Sequence, residues 1–167
     1  MKQKGISLIG MPASGKTTVS EVLALALKWP LLDVDQWMEK HEGMPLGQII
    51  ASKGKDYTLE LETECIKNTN LEKTVLSTPG SIIYNDVYDS LREQTHIVWL
   101  DVPFATLEER LAPDVNNTRG VIGLKEKGLQ KLYDERTPLY QKWATHIINC
   151  NEKTVAEIVY EITAILR

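Results

Sequence analysis

Short apolar runs alternate along this chain with longer amphipathic stretches. Ile6–Ile9, Pro30–Asp33, Thr74–Ser77, Ile97–Val102 and Ile147–Cys150 have the length and composition of strands. Ile97-Val98-Trp99-Leu100 and Ile147-Ile148 are nearly continuous in apolar residues, which predicts strands covered on both faces. After Thr17, residues Val19, Val22, Leu23 and Ala26 are predicted to share one helix face, and Phe104, Leu107 and Leu111 repeat at helical spacing. Leu124 to Ala144 reads as helix with a bend near Pro138. Thr154 is a plausible N-cap for a last helix whose stripe is Val155, Ile158, Val159, Ile162 and Ile165. Steady alternation of strand and helix predicts parallel strands joined by crossover helices. The expected fold is therefore α/β, a three-layer sandwich around a five-stranded parallel sheet. No repeat, low-complexity tract or linker interrupts the pattern, so residues 1–167 are expected to form a single domain. In such sheets ligands bind beyond the carboxyl ends of the strands.

The first strand end carries the strongest signal. Gly10-Met11-Pro12-Ala13-Ser14-Gly15-Lys16-Thr17 matches the phosphate-loop pattern GxxxxGK[ST], preceded by an apolar strand and followed by an amphipathic helix. A chance match in a chain of this length is roughly a one-in-a-hundred event. Glycines let the backbone curl until successive N–H groups point inward, and the helix adds its unpaired N–H groups and positive dipole end. Lys16 then reaches the β- and γ-phosphates, and the Thr17 hydroxyl ligates Mg²⁺. Ser14, Gly15 and Thr18 complete the candidate ATP cradle. Pro12 removes one N–H from the loop, and Ala13 occupies a place where many small kinases carry glycine.

The second strand ends in Leu31-Leu32-Asp33-Val34-Asp35. At a period of two, Asp33 and Asp35 project to the same side if strand geometry continues through Asp35. One carboxylate could then hold the Mg²⁺ water and the other accept a proton from an attacking hydroxyl, the division of labour that phosphoryl transfer needs.

Composition narrows the partners. Nineteen Lys+Arg against 23 Asp+Glu give a net charge of -4, which argues against a broad nucleic-acid face. The average is uneven: Arg110 to Lys142 carries seven basic residues against four acidic ones. No apolar run approaches the roughly 18 residues of a membrane span, and no signal peptide is expected. Cys65 and Cys150 form no CxxC pair, so two buried thiols in a reducing cytoplasm are expected rather than a disulfide. His41, His96 and His146 are scattered, without metal spacing. A monomer is expected.

Taken with these residues, almost the whole length of the chain resembles the shikimate kinases, P-loop enzymes of the nucleoside-monophosphate-kinase-like group. The likeness runs through Gly10–Thr18, Asp33-Val34-Asp35, the stretch Glu39 to Met44, Leu100-Asp101-Val102, a lid-like Arg110–Arg119, and Glu135-Arg136-Thr137-Pro138-Leu139-Tyr140 with Ala144. The resemblance implies a P-loop kinase fold with an acceptor-binding region at about 35–65 and a lid at about 110–124. It implies Asp33 near Mg²⁺ and Asp35 on the acceptor hydroxyl, acting as base. It further implies Arg119 closing on the transferring phosphate, Arg110 beside the adenine, and Gly80 and Arg136 on the acceptor. Judged without the resemblance, Arg136 reads instead as a surface ion pair with Glu135 or Asp134.

The acceptor region departs from the family's pattern. Gly54 to Glu62 keeps both its end residues but has Leu59 where the family carries a carboxylate-clamping arginine, with Lys55 the only nearby cation to replace it. Pro79-Gly80-Ser81 replaces a triple-glycine turn. A lost bidentate contact implies roughly ten- to a hundredfold weaker binding of the acceptor's carboxylate. The expected activity is ATP–Mg²⁺-dependent phosphorylation of a small, anionic, hydroxylated metabolite, shikimate being the acceptor the family implies. The alternatives are a kinase of a related metabolite and a non-catalytic ATP-binding regulator.

Overall fold

The computed structural model describes residues 2–114 and 117–167; the two remaining positions of the predicted lid lie outside the described residues. In chain order the elements are β1 (Gly5–Ile9), α1 (Lys16–Leu27), β2 (Leu31–Asp33), α2 (Val34–Glu42), α3 (Leu46–Lys53), α4 (Lys55–Lys67) and β3 (Val75–Ser77). A 3₁₀ turn (Gly80–Tyr84) follows, then α5 (Tyr88–Gln94), β4 (Thr95–Asp101), α6 (Phe104–Leu111), α7 (Leu124–Lys127), α8 (Leu129–Trp143), β5 (His146–Asn149) and α9 (Val155–Ala164). The strands lie in the order β2-β3-β1-β4-β5, every neighbouring pair parallel. Each predicted strand is present, its bounds shifted by a residue or two.

β1 is buried along its whole length and sits mid-sheet, with Ile6 opposite Val75 on one side and His96 on the other. Its carboxyl end therefore delivers the Gly-rich loop to the centre of the sheet's rim. On one face Ile6 and Leu8 pack with Val19, Leu23 and Ala24 of α1 and with Ile158, Val159 and Ile162 of α9. On the other, Ile9 and Leu76 pack among residues of α2, α3, α4 and α8. Those two cores make the three layers. No helix of the described residues is long and apolar enough to cross a membrane.

Three expectations need correction. The buried face of α1 is Val19, Ser20, Leu23 and Ala24, while Val22 and Ala26 are exposed. Ser20 turns inward because its hydroxyl is satisfied by Thr17 O at 2.7 Å. The predicted helix Leu124–Ala144 is two helices, broken at Gly128, where φ is +78°. Pro138 lies inside the uninterrupted α8. Third, β2 stops at Asp33 and α2 begins at Val34, so Asp35 sits in the first turn of a helix and the period-two argument does not apply. The cause is local: the Asp33 side chain accepts from Gln36 N at 3.0 Å and caps the helix. At the other end of the chain, Thr154 and Glu157 form the reciprocal capping box that starts α9.

Candidate active site

The loop after β1 folds around its own lysine. Lys16 Nζ donates to Gly10 O and Met11 O, both at 2.8 Å, and to Ser14 Oγ at 3.3 Å. Burial pulls the Lys16 ammonium down from its ordinary value to about 8, opposed chiefly by the charge of Asp35. A buried cation of this kind is poised for phosphate oxygens. Gly15 (φ +92°) precedes α1 and supplies no side-chain cap, so the first N–H groups of that helix have no capping side chain. Ala13 also takes a left-handed φ of +63°, and its carbonyl accepts from Arg110 Nη1 at 2.9 Å. That bond brings the predicted adenine-side arginine to the loop.

A cavity of about 690 Å³ opens over this loop. Of the sequence-predicted residues, Ala13, Ser14, Gly15, Lys16, Thr17, Thr18, Asp35, Gly80, Arg110, Arg119 and Arg136 line it. Gly10 lies below, as an acceptor for Lys16. Asp33 is outside the lining but joins through Thr17, whose Oγ1 donates to its Oδ2 at 3.3 Å. A hydroxyl and a carboxylate held this close beside a phosphate cradle suit a hard divalent cation, which takes oxygen ligands. Asp35 Oδ1 is buried without a hydrogen-bond partner, an atom left for something in the cavity. Burial, then the neighbouring Asp33 charge, push the Asp35 carboxyl up to about 7.

Arg136 is 1% exposed and makes no surface ion pair with Glu135 or Asp134. Its Nη2 donates to Ile122 O at 2.7 Å and its Nε to Tyr84 Oη at 3.3 Å, while Glu135 pairs with Lys127 instead. Gly80 explains how the guanidinium fits: a Cβ there would lie 2.9 Å from Arg136 Nη1 and 3.1 Å from Pro12 Cδ. Lys55, the suggested substitute for the absent arginine, is elsewhere. Its Nζ stands 5.4 Å from the Tyr84 ring centroid and lines a neighbouring cavity.

Part of the expected lid, residues 117–120, runs beside the cavity in tight turns. Asp114 accepts from Thr118 N at 2.8 Å and from Arg119 N at 3.0 Å. Gly120 then packs on Gly47 of α3, where a Cβ on Gly47 would meet Thr118 O at 3.0 Å. A Cβ on Gly120 would lie 2.7 Å from Gly47 N, so the turn at Gly120 and α3 approach each other backbone to backbone.

Sequence reasoning missed several wall residues. Thr58, not Leu59, faces the cavity from α4, joined by Glu62 one turn later. Ser77, Thr78 and Ser81 come from the end of β3 and the turn after it. Glu62 was noted only as the end residue of the Gly54–Glu62 stretch; its bonds to Ser81 and Asn85 join helix to turn and leave no local signal. Cys150 and Lys153 also line the cavity, and both cysteines are free.

A phosphate cradle, an unpartnered carboxylate and a buried guanidinium in one cavity of a 2-3-1-4-5 parallel sheet define a P-loop small-molecule kinase. A family model described as "Shikimate kinase" matches residues 12–167. A shikimate kinase of Sulfurihydrogenibium sp. is 35% identical over 161 residues, 95% of each chain. Among solved structures, the shikimate kinase of Aquifex aeolicus aligns with a TM-score of 0.79 at 32% identity, over 96% of this chain and 94% of that one. The Acinetobacter baumannii enzyme, solved in complex with shikimate, aligns with a TM-score of 0.87 at 26% identity, over 98% and 93%. The chain belongs to the shikimate kinase family of ATP-using phosphotransferases.

Proposed function

We propose that this protein transfers the γ-phosphoryl group of ATP to the 3-hydroxyl of shikimate, forming shikimate 3-phosphate and ADP. The observation that carries this reading is a single cavity lined by Lys16, Thr17 and Arg110, by Gly80 and the buried Arg136, and by Asp35, whose Oδ1 has no hydrogen-bond partner. Residues 1–167 act as one kinase domain, with the acceptor-binding region at about 35–65 and the lid at about 110–124.

In this reading Lys16 and the N–H groups of the loop hold the phosphates, and Arg110 flanks the adenine. Thr17 and Asp33 would hold Mg²⁺, which would supply charge neutralisation along the phosphates. The acceptor's carboxylate lies against Arg136, which directs its hydroxyl toward Asp35. Asp35 takes the hydroxyl proton as the oxygen bonds to the γ-phosphorus and the bond to the ADP oxygen breaks. Arg119 closes with the lid and, with Lys16, offsets charge on the moving group. The two free thiols accord with a cytoplasmic setting, and the reading takes the protein as a monomer.

A kinase of a related hydroxylated metabolite is the second reading. It is favoured by an acceptor wall where Thr58 and Glu62 face the cavity and Leu59 stands in place of the family's arginine. A coupled ADP-release assay across shikimate, quinate and gluconate separates the two. Turnover strongest with shikimate supports the proposal; turnover confined to another polyol replaces it.

A further inference from the structure

Glu62 is 1% exposed and lines the same cavity as Asp35 and Arg136. Both its oxygens are held by neutral donors: Oε1 accepts from Ser81 Oγ at 2.6 Å and Oε2 from Asn85 Nδ2 at 2.7 Å. Among the described residues, no lysine or arginine forms an ion pair with it. The groups facing it are Thr58 from its own α4, Ser81 and Asn85 from the 3₁₀ turn and its end, Asp35 from α2, and Arg136 and Tyr140 from α8. From α3 the cavity receives only Leu46 and Ile50. The guanidinium near Glu62 is that of Arg136, and it already donates to Ile122 O and Tyr84 Oη. A buried carboxylate without a cation is costly, and such groups gather where a ligand completes the site.

We propose that Glu62 is a specificity-determining residue of the acceptor site: its carboxylate competes with the acceptor's carboxylate for Arg136 and favours acceptors that turn hydroxyl donors toward α4. This deepens the shikimate reading above and rests on it. An ionised Glu62 accepts hydroxyl hydrogens and opposes an anion; a protonated one ceases to oppose it. Burial first, and the Asp35 charge, push the Glu62 carboxyl up to about 7, against the lowering pull of Ser81, Asn85 and Arg136. Its ionised fraction therefore grows through neutrality, and affinity for an anionic acceptor falls as pH rises.

The test is calorimetric titration of shikimate into the full chain with ADP and Mg²⁺, for wild type and Glu62→Gln, at about pH 6 and about pH 8. A charge coupling of one pKa unit corresponds to about tenfold in affinity. Wild type is expected to bind about tenfold more weakly at the higher pH; Asp35, also pushed up to about 7 in this cavity, shares in that fall, so Glu62→Gln is expected to keep only a smaller dependence, with ADP affinity unchanged. Ser81→Ala removes a donor that favours the ionised form, so the pH midpoint of the wild-type curve should move upward. Retention of the wild-type pH dependence by Glu62→Gln overturns the proposal. So does absence of shikimate binding by both proteins at both pH values. Should a thermal melt show Glu62→Gln unfolded, an unmoved midpoint in Ser81→Ala overturns it instead. Failure of the phosphotransfer reading looks different: shikimate binds with the expected pH profile, yet no phosphate is transferred.

Discussion

Lys16→Met removes the ammonium at the centre of the phosphate loop and keeps a flexible chain of similar length. In the protein without nucleotide, burial lowers the lysine from 10.5 to about 8. The unfolded chain therefore binds more protons between those values, and holding the charged lysine costs stability below pH 8, a cost that fades as pH rises toward 10.5. Taken at face value the shift corresponds to about 3 kcal/mol. Methionine relieves it but leaves Gly10 O without its donor, a loss of about 1–3 kcal/mol. Met11 O keeps a bond from Ser14 N. The two effects nearly cancel, so the variant should melt within a few degrees of wild type. Nucleotide is where they part. ATP at a hundred times Kd stabilises the wild type by about 2.7 kcal/mol, which for a chain of this size is a rise of roughly 5–10 °C. Lys16→Met should show almost none of that rise in scanning fluorimetry with ATP and Mg²⁺ at pH 7. A variant that keeps the full shift refutes the assignment of the loop as the phosphate cradle.

Gly80→Ala places a methyl group 2.9 Å from Arg136 Nη1 and should displace the guanidinium. Acceptor KM is expected to rise roughly ten- to a hundredfold, the worth of a charge-assisted bond, with the ATP-induced melting shift retained; an unchanged KM would place acceptor recognition elsewhere. Gly47→Ala puts a methyl against Thr118 O in the lid. Alanine's helix preference, about 1 kcal/mol at most, offsets part of that crowding, so the melting temperature should move by only a few degrees while kcat/KM falls, and a large parallel loss of both would mean that the contact serves folding.

The fold was legible because its signals are local. Five short apolar runs and the loop Gly10–Thr17 declare strands and a phosphate cradle within a few residues each. The turn from β2 into α2 was misread because Asp33 does two things at once: it ends the strand and caps the helix, which rotates Asp35 into a helical first turn. Gly128 broke a helix that Pro138 did not, since a left-handed φ ends an α-helix more surely than one missing N–H within a packed helix. Arg136 could be placed only through the family resemblance. From sequence spacing alone it sits beside Glu135, and its burial arises from Ile122, Tyr84 and Gly80, residues up to 56 positions away. Thr58 and Glu62 face the cavity because α4 packs on the turn after β3, a tertiary fact without a local pattern.

The central claim is tested most directly by incubating the protein with Mg²⁺, shikimate and ATP labelled in the γ-phosphoryl group, and following the label. Wild type should move it to shikimate, and Asp35→Asn should slow that transfer by roughly 10²–10⁴-fold, the range of a general base, while its ATP-induced melting shift remains. Label that stays on ATP, or passes to water or to another polyol but never to shikimate, would contradict the account.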